Sequence, residues 1–520
     1  MRIALALFAI GTILNAQVTT QNLQNGLGQN WLTYLGDYAA QRFSPLKEVD
    51  VHTVKDLVPT WVKHFETTGD LETTPLVYDG VMYATNSNAL HALDAVTGKE
   101  IWNYKASSQK RGVNRGAAIL GDQVYLVTSD CHLISFRRTN GAVLWDREYA
   151  KVSDGYSCSS PPLVVKDKVM VGVASSGKTC FVAALSAADG KEVWRFWSVP
   201  RAGEPGSESW GHLPLDQGGG PTWTPGTFDA DLNLLYWPIG NPWPDFYGGD
   251  RPGDNLYTDS IVALDADTGK RKWHFQFVPH DTHDWDANET PVLVDAEFKG
   301  QKRKLLIQAN RNGFYYVLDR TSGEFLLGKP FVKNLTWAKG LDAKGRPIET
   351  PNAEPSAAGT RVCPSVHGAT NWWAPSLNPV QGLFYVAALE QCEVYYSSAQ
   401  KPVASSGFRG TGHNIIAAEP GTFYLRAIEA TTGNIRWEFP MPGPTTMWAG
   451  TVATAGGLVF AADDDGDLVA FDAEAGKPLW HFNTGSNLHA SPMTFSVDGH
   501  QYVSMASGSN LFTFGLHLSR

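Results

Sequence analysis

Three stretches of the chain concentrate side chains able to do chemistry: GGGPTWTPG (Gly218–Gly226), PIGNPWPDF (Pro238–Phe246) and PHDTHDWDANE (Pro279–Glu289). The last of these gathers His280, Asp281, His283, Asp284 and Asp286 in one short run. Carboxylates and imidazoles that close suit proton transfer or oxygen ligation of a hard cation. They equally suit a His–Asp hydrogen-bond network that satisfies a long loop. A zinc-dependent hydrolase is a third reading, although neither HExxH nor a His/Cys ligand spacing is present. All three stretches fall between copies of a repeat, and the repeat is what must position them.

That repeat is the strongest pattern in the chain. ALDAVTGKEIW (Ala92–Trp102) recurs at Ser135–Trp145, Ala184–Trp194, Ala263–Trp273, Ala427–Trp437 and Ala470–Trp480, each with a Gly four residues before its Trp. A degenerate copy puts Leu327 in the Trp place, and Trp61 follows the pattern without the Gly. Each unit reads as an alternating strand, a Gly-containing turn and a second alternating strand. A further strand pair, such as TPLVYDGVMYAT, lies upstream of most copies. Four strands per copy predict the blades of an all-β propeller, with the Trp docked between neighbours. Eight Trp-like positions predict eight blades in one domain spanning 17–520, and the long Pro/Gly/Trp-rich insertions predict loops on one face. A propeller alone does not imply catalysis, so a purely binding scaffold fits the repeats as well.

Composition narrows the function. The chain carries 42 Lys+Arg against 52 Asp+Glu, a net charge of −10, which argues against nucleic acid or an anionic membrane surface as partner. Met1–Ala16 (MRIALALFAIGTILNA) reads as a secretory signal, one basic residue ahead of an apolar run. No later stretch approaches a membrane-spanning length. The five cysteines would then meet an oxidising compartment. Cys363 with Cys392 and Cys158 with Cys180 are the expected pairs, leaving Cys131 over. No CxxCH motif for covalent haem is present.

Taken together, the repeated AxDxxTGKxxW, NRG (Asn114–Gly116), GNPWPDF, HDWDANE, RNGFYYVLDR (Arg311–Arg320) and CPSVHGATNWWAPSLNP (Cys363–Pro379) resemble the quinoprotein alcohol dehydrogenases. The resemblance runs from Asn30 to Gly515. It implies an eight-bladed propeller holding pyrroloquinoline quinone (PQQ) and a divalent metal, Ca²⁺ above all. It implies oxidation of an alcohol in the periplasm by hydride transfer to the quinone, with electrons leaving to a separate carrier such as a soluble cytochrome c. Carried over by position, Asp286 would be the general base and a metal ligand, with Asn241 a second ligand. Arg115 would pair a PQQ carboxylate, and Arg311 would reach the quinone oxygens. Trp223 would stack beneath the ring, Glu72 would sit at its edge, and Trp448 would form part of the pocket wall. These residue types suit a flat, tricarboxylated o-quinone, which needs an aromatic floor and guanidinium forks.

Two departures from the family stand out. Gln109-Lys110 occupies the place where the family carries two adjacent cysteines that cover the cofactor. The family's metal-binding Glu should fall within Ser175–Cys180, which reads SSGKTC and contains no acid. Another acid, cofactor carboxylates with water, or the Lys178 ammonium could take its place. Asn288, two residues after Asp286, favours Ca²⁺ over a lanthanide, because the lanthanide-using members carry an Asp there. The missing Glu also leaves room for a propeller that binds PQQ or a protein without catalysis.

Overall fold

The computed structural model describes residues 17–67, 69–107, 112–399, 410–443, 448–463 and 465–517. The segment expected to be a signal, Met1–Ala16, and the Gln109-Lys110 position lie outside the described residues. Strand-forming alternation wins almost everywhere. The described residues hold one short α-helix, Thr20–Gln24, and a series of four-stranded antiparallel sheets.

Eight such sheets follow one another along the described chain, one of them extended by a fifth strand. The first comprises Leu76–Tyr78, Val81–Asn86, Ala89–Asp94 and Glu100–Lys105, hydrogen-bonded in chain order. The same meander recurs six times, ending with Val452–Thr454 to Pro478–Asn483. In that sheet Phe43–Ser44 adds in parallel at the edge beside Val452–Thr454. The last sheet joins both ends of the fold: Met493–Val497, His500–Ser507 and Asn510–Leu516 are completed by Leu57–His64, which pairs antiparallel with Asn510–Leu516.

The inner strands of each sheet are buried on both faces, as in Leu234–Ile239, and the outermost strands alternate with solvent, as in Glu100–Lys105. Between sheets the repeat residues meet. The indole N–H of Trp102 donates to Arg138 O, Trp194 to Ala266 O, Trp273 to Arg320 O and Trp437 to Ala473 O, each acceptor lying at the turn of the following sheet. Trp480 donates to Leu57 O and Trp61 to Ala95 O, which carries the series across the shared sheet. Leu327, lacking an N–H, packs against Gly433 instead. The turn glycines are needed twice over. Gly269 has φ +68°, and a methyl there would lie 2.5 Å from the Trp194 ring.

Topology then decides where the loops go. In a four-stranded antiparallel meander, the connections after the second and fourth strands leave at the same end. All the long insertions follow that parity: 198–226, 240–259, 277–291, 331–375 and 391–421. Their small sheets, such as Thr360–Val362 with Glu393–Ser397, are built on that end.

The cysteines pair differently from the sequence expectation. Cys363–Cys392 forms a disulfide as anticipated, but the second bridge is Cys131–Cys158, and Cys180 is a buried free thiol. Cys131 turns out of the second sheet at the same end as the connection carrying Cys158. Cys180 enters the third sheet, where its N–H donates to Gly219 O. Burial pushes the Cys180 thiol well above its ordinary range.

Gly269→Ala should cost about 1–3 kcal/mol in denaturant unfolding. Gly300→Ala should cost less, since Gly300 has a similar φ of +79° but nothing near its missing Cβ. Equal losses would show that the indole contact contributes nothing. Alkylation of unfolded, unreduced protein followed by peptide mapping should label Cys180 and leave the other four cysteines unmodified.

Candidate functional site

The shared exit of the loops brings most of the candidate residues together. Asp286 comes from the connection between Arg271–Gln276 and Val292–Phe298, and Asn241 from that between Leu234–Ile239 and Ser260–Asp265. Trp223 precedes Thr227–Asp229, Arg115 precedes Ala118–Leu120, Glu72 precedes Leu76–Tyr78, and Arg311 links Gln301–Ala309 to Phe314–Asp319. Trp223, Asn241 and Asp286 line one cavity of about 200 Å³, with Ser157, Ser175, Ser176, Trp243, Asp245 and Asp284 in its wall.

The HDTHDWD loop holds its shape by an internal network. The Asp281 carboxylate accepts from the backbone N–H of His283 at 3.0 Å and of Trp285 at 2.9 Å. The His283 ring stacks on Trp285, centroids 4.3 Å apart, and its Nε2 lies 3.1 Å from Ala353 O. Trp285 in turn donates to Ser365 O at 2.9 Å. His283 and Trp285 are therefore committed to packing against the 331–375 insertion. The His–Asp network reading describes these residues, while Asp284 and Asp286 reach the cavity.

Asp286 is held from several sides. Its Oδ1 accepts from the Asn241 backbone N–H at 2.9 Å, and its Oδ2 from Trp223 Nε1 at 3.1 Å. With the Asn288 amide turned so that its oxygen faces the indole at 2.7 Å, Trp223 gains a second acceptor and Asp286 Oδ2 keeps a lone pair for the cavity. A side chain at Gly240 would overlap the Asp286 carboxylate, so the bare backbone there is a condition of its position. Arg311 Nη2 stands 3.6 Å from Asp286 Oδ2, while donating to Asn371 Oδ1 at 2.9 Å and, through Nη1, to Asp284 O at 2.8 Å. Arg311 Nε lies 3.6 Å from Glu289 Oε1. Burial pushes the Glu289 carboxyl well above the usual carboxylate range, against the pull of Arg311.

A second group adjoins the first. Arg115 Nη2 pairs with Glu72 Oε2 at 2.8 Å, and its Nη1 donates to Ser159 Oγ at 3.0 Å. Burial raises the Glu72 carboxyl, and the Arg115 charge lowers it by a smaller amount. The Arg115 guanidinium lies over two indoles, 4.8 Å from Trp223 and 4.5 Å from Trp372. Trp448 lies in an aromatic group with His367, Trp373 and His489 at centroid distances of 5.3, 5.5 and 6.2 Å. His489 Nδ1 lies 3.2 Å from Asp70 Oδ2, close to the Glu72 side.

Trp372, Ser159 and Asp245 were not singled out by sequence reasoning, though NWWAP and GNPWPDF contained two of them. Lys178, considered as a stand-in for the metal charge, is outside the cavity: it is well exposed and lies 3.7 Å from Asp216.

The residues present fit the groups the resemblance implies. Buried Arg115 Nε and Arg311 Nε have no hydrogen-bond acceptor, as guanidiniums awaiting an anionic ligand would. The cavity wall supplies carboxamide and carboxylate oxygens for a hard cation. Among the described residues no three His, Cys, Asp or Glu side chains form a ready cage, so the carboxamide of Asn241 matters to any such site.

Comparison with known proteins agrees with this chemistry. The family model for the PQQ glucose/ethanol/alcohol dehydrogenase β-propeller domain matches residues 31–329 and 429–503. Quinohemoprotein alcohol dehydrogenase ADH IIB of Pseudomonas putida is 37% identical over 92% of this chain and 74% of its own length. The quinoprotein ethanol dehydrogenase of Pseudomonas aeruginosa is 35% identical over 97% of this chain and 90% of its own. Among solved structures, the quinohemoprotein alcohol dehydrogenase of Comamonas testosteroni superposes with a TM-score of 0.88 at 32% identity, covering 94% of this chain and 80% of that one. A europium-containing methanol dehydrogenase gives 0.87 at 28% identity, covering 94% and 98%. With its β-sheet repeats, its arginine- and tryptophan-lined site and relatives matched over most of their length, this chain belongs to the PQQ-dependent quinoprotein alcohol dehydrogenase family.

Proposed function

We propose that this chain oxidises an alcohol with PQQ, with Asp286 as the base that takes the hydroxyl proton. The observation that carries the reading is the Asp286 carboxylate fixed at the cavity wall by Asn241 N–H and Trp223 Nε1. A base held on two sides meets its substrate without first reorganising. PQQ, when bound, supplies the electron-accepting quinone, and a divalent cation, Ca²⁺ in this reading, supplies Lewis acidity beside it. Every other requirement falls on the chain. Arg115 offers its unpartnered Nε to a carboxylate, and Trp223 and Trp372 provide apolar ring faces beside it. Arg311 holds positive charge close to Asp286, 3.6 Å from its Oδ2. Asn241 and Asp286 would hold the cation.

The surrounding architecture belongs to the same proposal. The eight sheets close as eight blades, supported by the Trp and Leu327 contacts that pass from sheet to sheet and by the pairing of Leu57–His64 with Asn510–Leu516. Export to the periplasm is supported by the Met1–Ala16 sequence and by two disulfides. Among the described residues no helix is long and apolar enough to cross a membrane. Electrons leave to a separate carrier, a soluble cytochrome c in this reading.

Purified protein supplied with PQQ and Ca²⁺ should reduce an artificial dye in the presence of a primary alcohol. Asp286→Asn should lower kcat by at least about 10²-fold, the scale of a lost general base, while PQQ still binds; undiminished turnover would refute Asp286 as the base. Arg115→Ala should weaken PQQ binding about 10-fold or more, the loss of roughly one charge-assisted contact, as followed by quenching of tryptophan fluorescence.

A further inference from the structure

Arg115 is tied down at its backbone and aimed by its side-chain partners. Its carbonyl accepts from the Thr74 N–H at 2.9 Å. The neighbouring Asn114 donates through Nδ2 to Val127 O at 2.8 Å, at the end of Gln123–Val127. Attraction to the faces of Trp223 and Trp372 holds the guanidinium close but gives it no fixed heading. Glu72 at Nη2 and Ser159 at Nη1 supply the heading, and so decide where the unpartnered Nε points.

Ser159 lies outside any strand, between Tyr156–Ser157 and Leu163–Val165. Its Oγ, at 3.0 Å, and its carbonyl, at 3.4 Å, both accept from Arg115 Nη1. The residue before it, Cys158, is buried and bridged to Cys131. Ser157, one further back, lines the cavity and pairs with Ala174, which lines it too. The bridge therefore grips the chain between a residue of the cavity wall and the partner of Arg115.

The other end of the bridge sits in the turn that already holds Asn114. Cys131 lies between Gln123–Val127 and His132–Arg137 and is buried. Its N–H donates to Thr128 O at 2.9 Å, and its carbonyl accepts from the Tyr149 N–H at 3.0 Å. One turn thus carries both anchors, Val127 O for the segment of Arg115 and Cys131 for the segment of Ser159. The Arg115–Ser159 hydrogen bond survives only about 0.5 Å of drift, and the covalent tie one residue away limits that drift.

We propose that Cys131–Cys158 is a positioning device for the site: it fixes Ser159 against Arg115 and thereby aims Arg115 Nε at a cofactor carboxylate. The inference rests on the reading of Arg115 as the partner of a PQQ carboxylate given above.

PQQ titrations followed by tryptophan fluorescence, with Ca²⁺ but without alcohol or electron acceptor, test it. Cys131→Ala/Cys158→Ala should weaken PQQ binding about 3- to 10-fold, the scale of one lost hydrogen bond. In an Arg115→Ala background the same pair of substitutions should change binding by less than about twofold, because bridge and guanidinium act as one unit. A bridge that only stabilised the fold would lower affinity equally in both backgrounds. That result, or undiminished affinity without the bridge, would overturn the proposal and leave Arg115 as the anchor. Binding by Arg115→Ala as tight as that of wild type, or no binding by wild type, would overturn the underlying reading as well. Should the bridge-free variant not fold, wild type and Arg115→Ala folded with their disulfides and then treated with dithiothreitol give the same comparison. Alkylation at Cys158 should then accompany a loss of affinity in wild type alone; alkylation without that loss would overturn the proposal.

Discussion

An indole resting on a glycine is the contact from which the rest of this molecule follows. A four-stranded sheet has two faces to cover and cannot cover the second by itself. In this chain the outer strands lend a large apolar side chain, a Trp in every case but Leu327, to the turn of the next sheet, and the turn makes room by having no side chain. The glycine's positive φ bends the hairpin, and its missing Cβ admits the ring. Leu327 shows that the contact is first of all one of shape, since packing persists there without the N–H donor.

Once sheets are stacked in that way, chemistry is confined to one end. Buried charge is costly unless it is answered by other charge, and the site answers it in layers: Glu72 with Arg115, Glu289 and Asp286 with Arg311, Asp281 with backbone amides. Asp281, Asp286 and Glu289 share the 277–291 connection, but Glu72, Arg115 and Arg311 each come from another, so no single loop could build the constellation. The loops are long because they must reach inward over the strand ends, and they are stiffened by their own small sheets and by the Cys363–Cys392 bridge.

What was legible in the sequence was whatever repeats or recurs as a run. The hairpin unit announces itself because Gly and Trp must keep their spacing for the contact to form, and motifs such as NRG, GNPW and HDWD are contiguous for the same local reason. The partner of a residue was harder to read. Cys131 and Cys158 meet because two connections leave the same sheet system at one end, while Cys180, closer in sequence to Cys158, enters the interior of the next sheet. Trp372 comes to lie over Arg115 from a connection far along the chain, and Trp448 packs with His367 and His489. Which of the five charged or imidazole side chains of HDTHDWD would face inward depended on Asp281 folding the loop back on itself, a matter of backbone geometry that spacing alone does not reveal.

The strand Leu57–His64 has its pairing partner at the far end of the polypeptide, and Leu57 also receives the indole of Trp480, 423 residues away. A ribosome delivers this strand early and its mate last. Intermediate lengths of nascent chain therefore carry an open seam, with an unpaired edge that invites association with other chains. Non-local closure of this kind is also slow. A polypeptide whose sheet system locks only when Asn510–Leu516 is in place keeps that one seam open until synthesis has passed all the other blades.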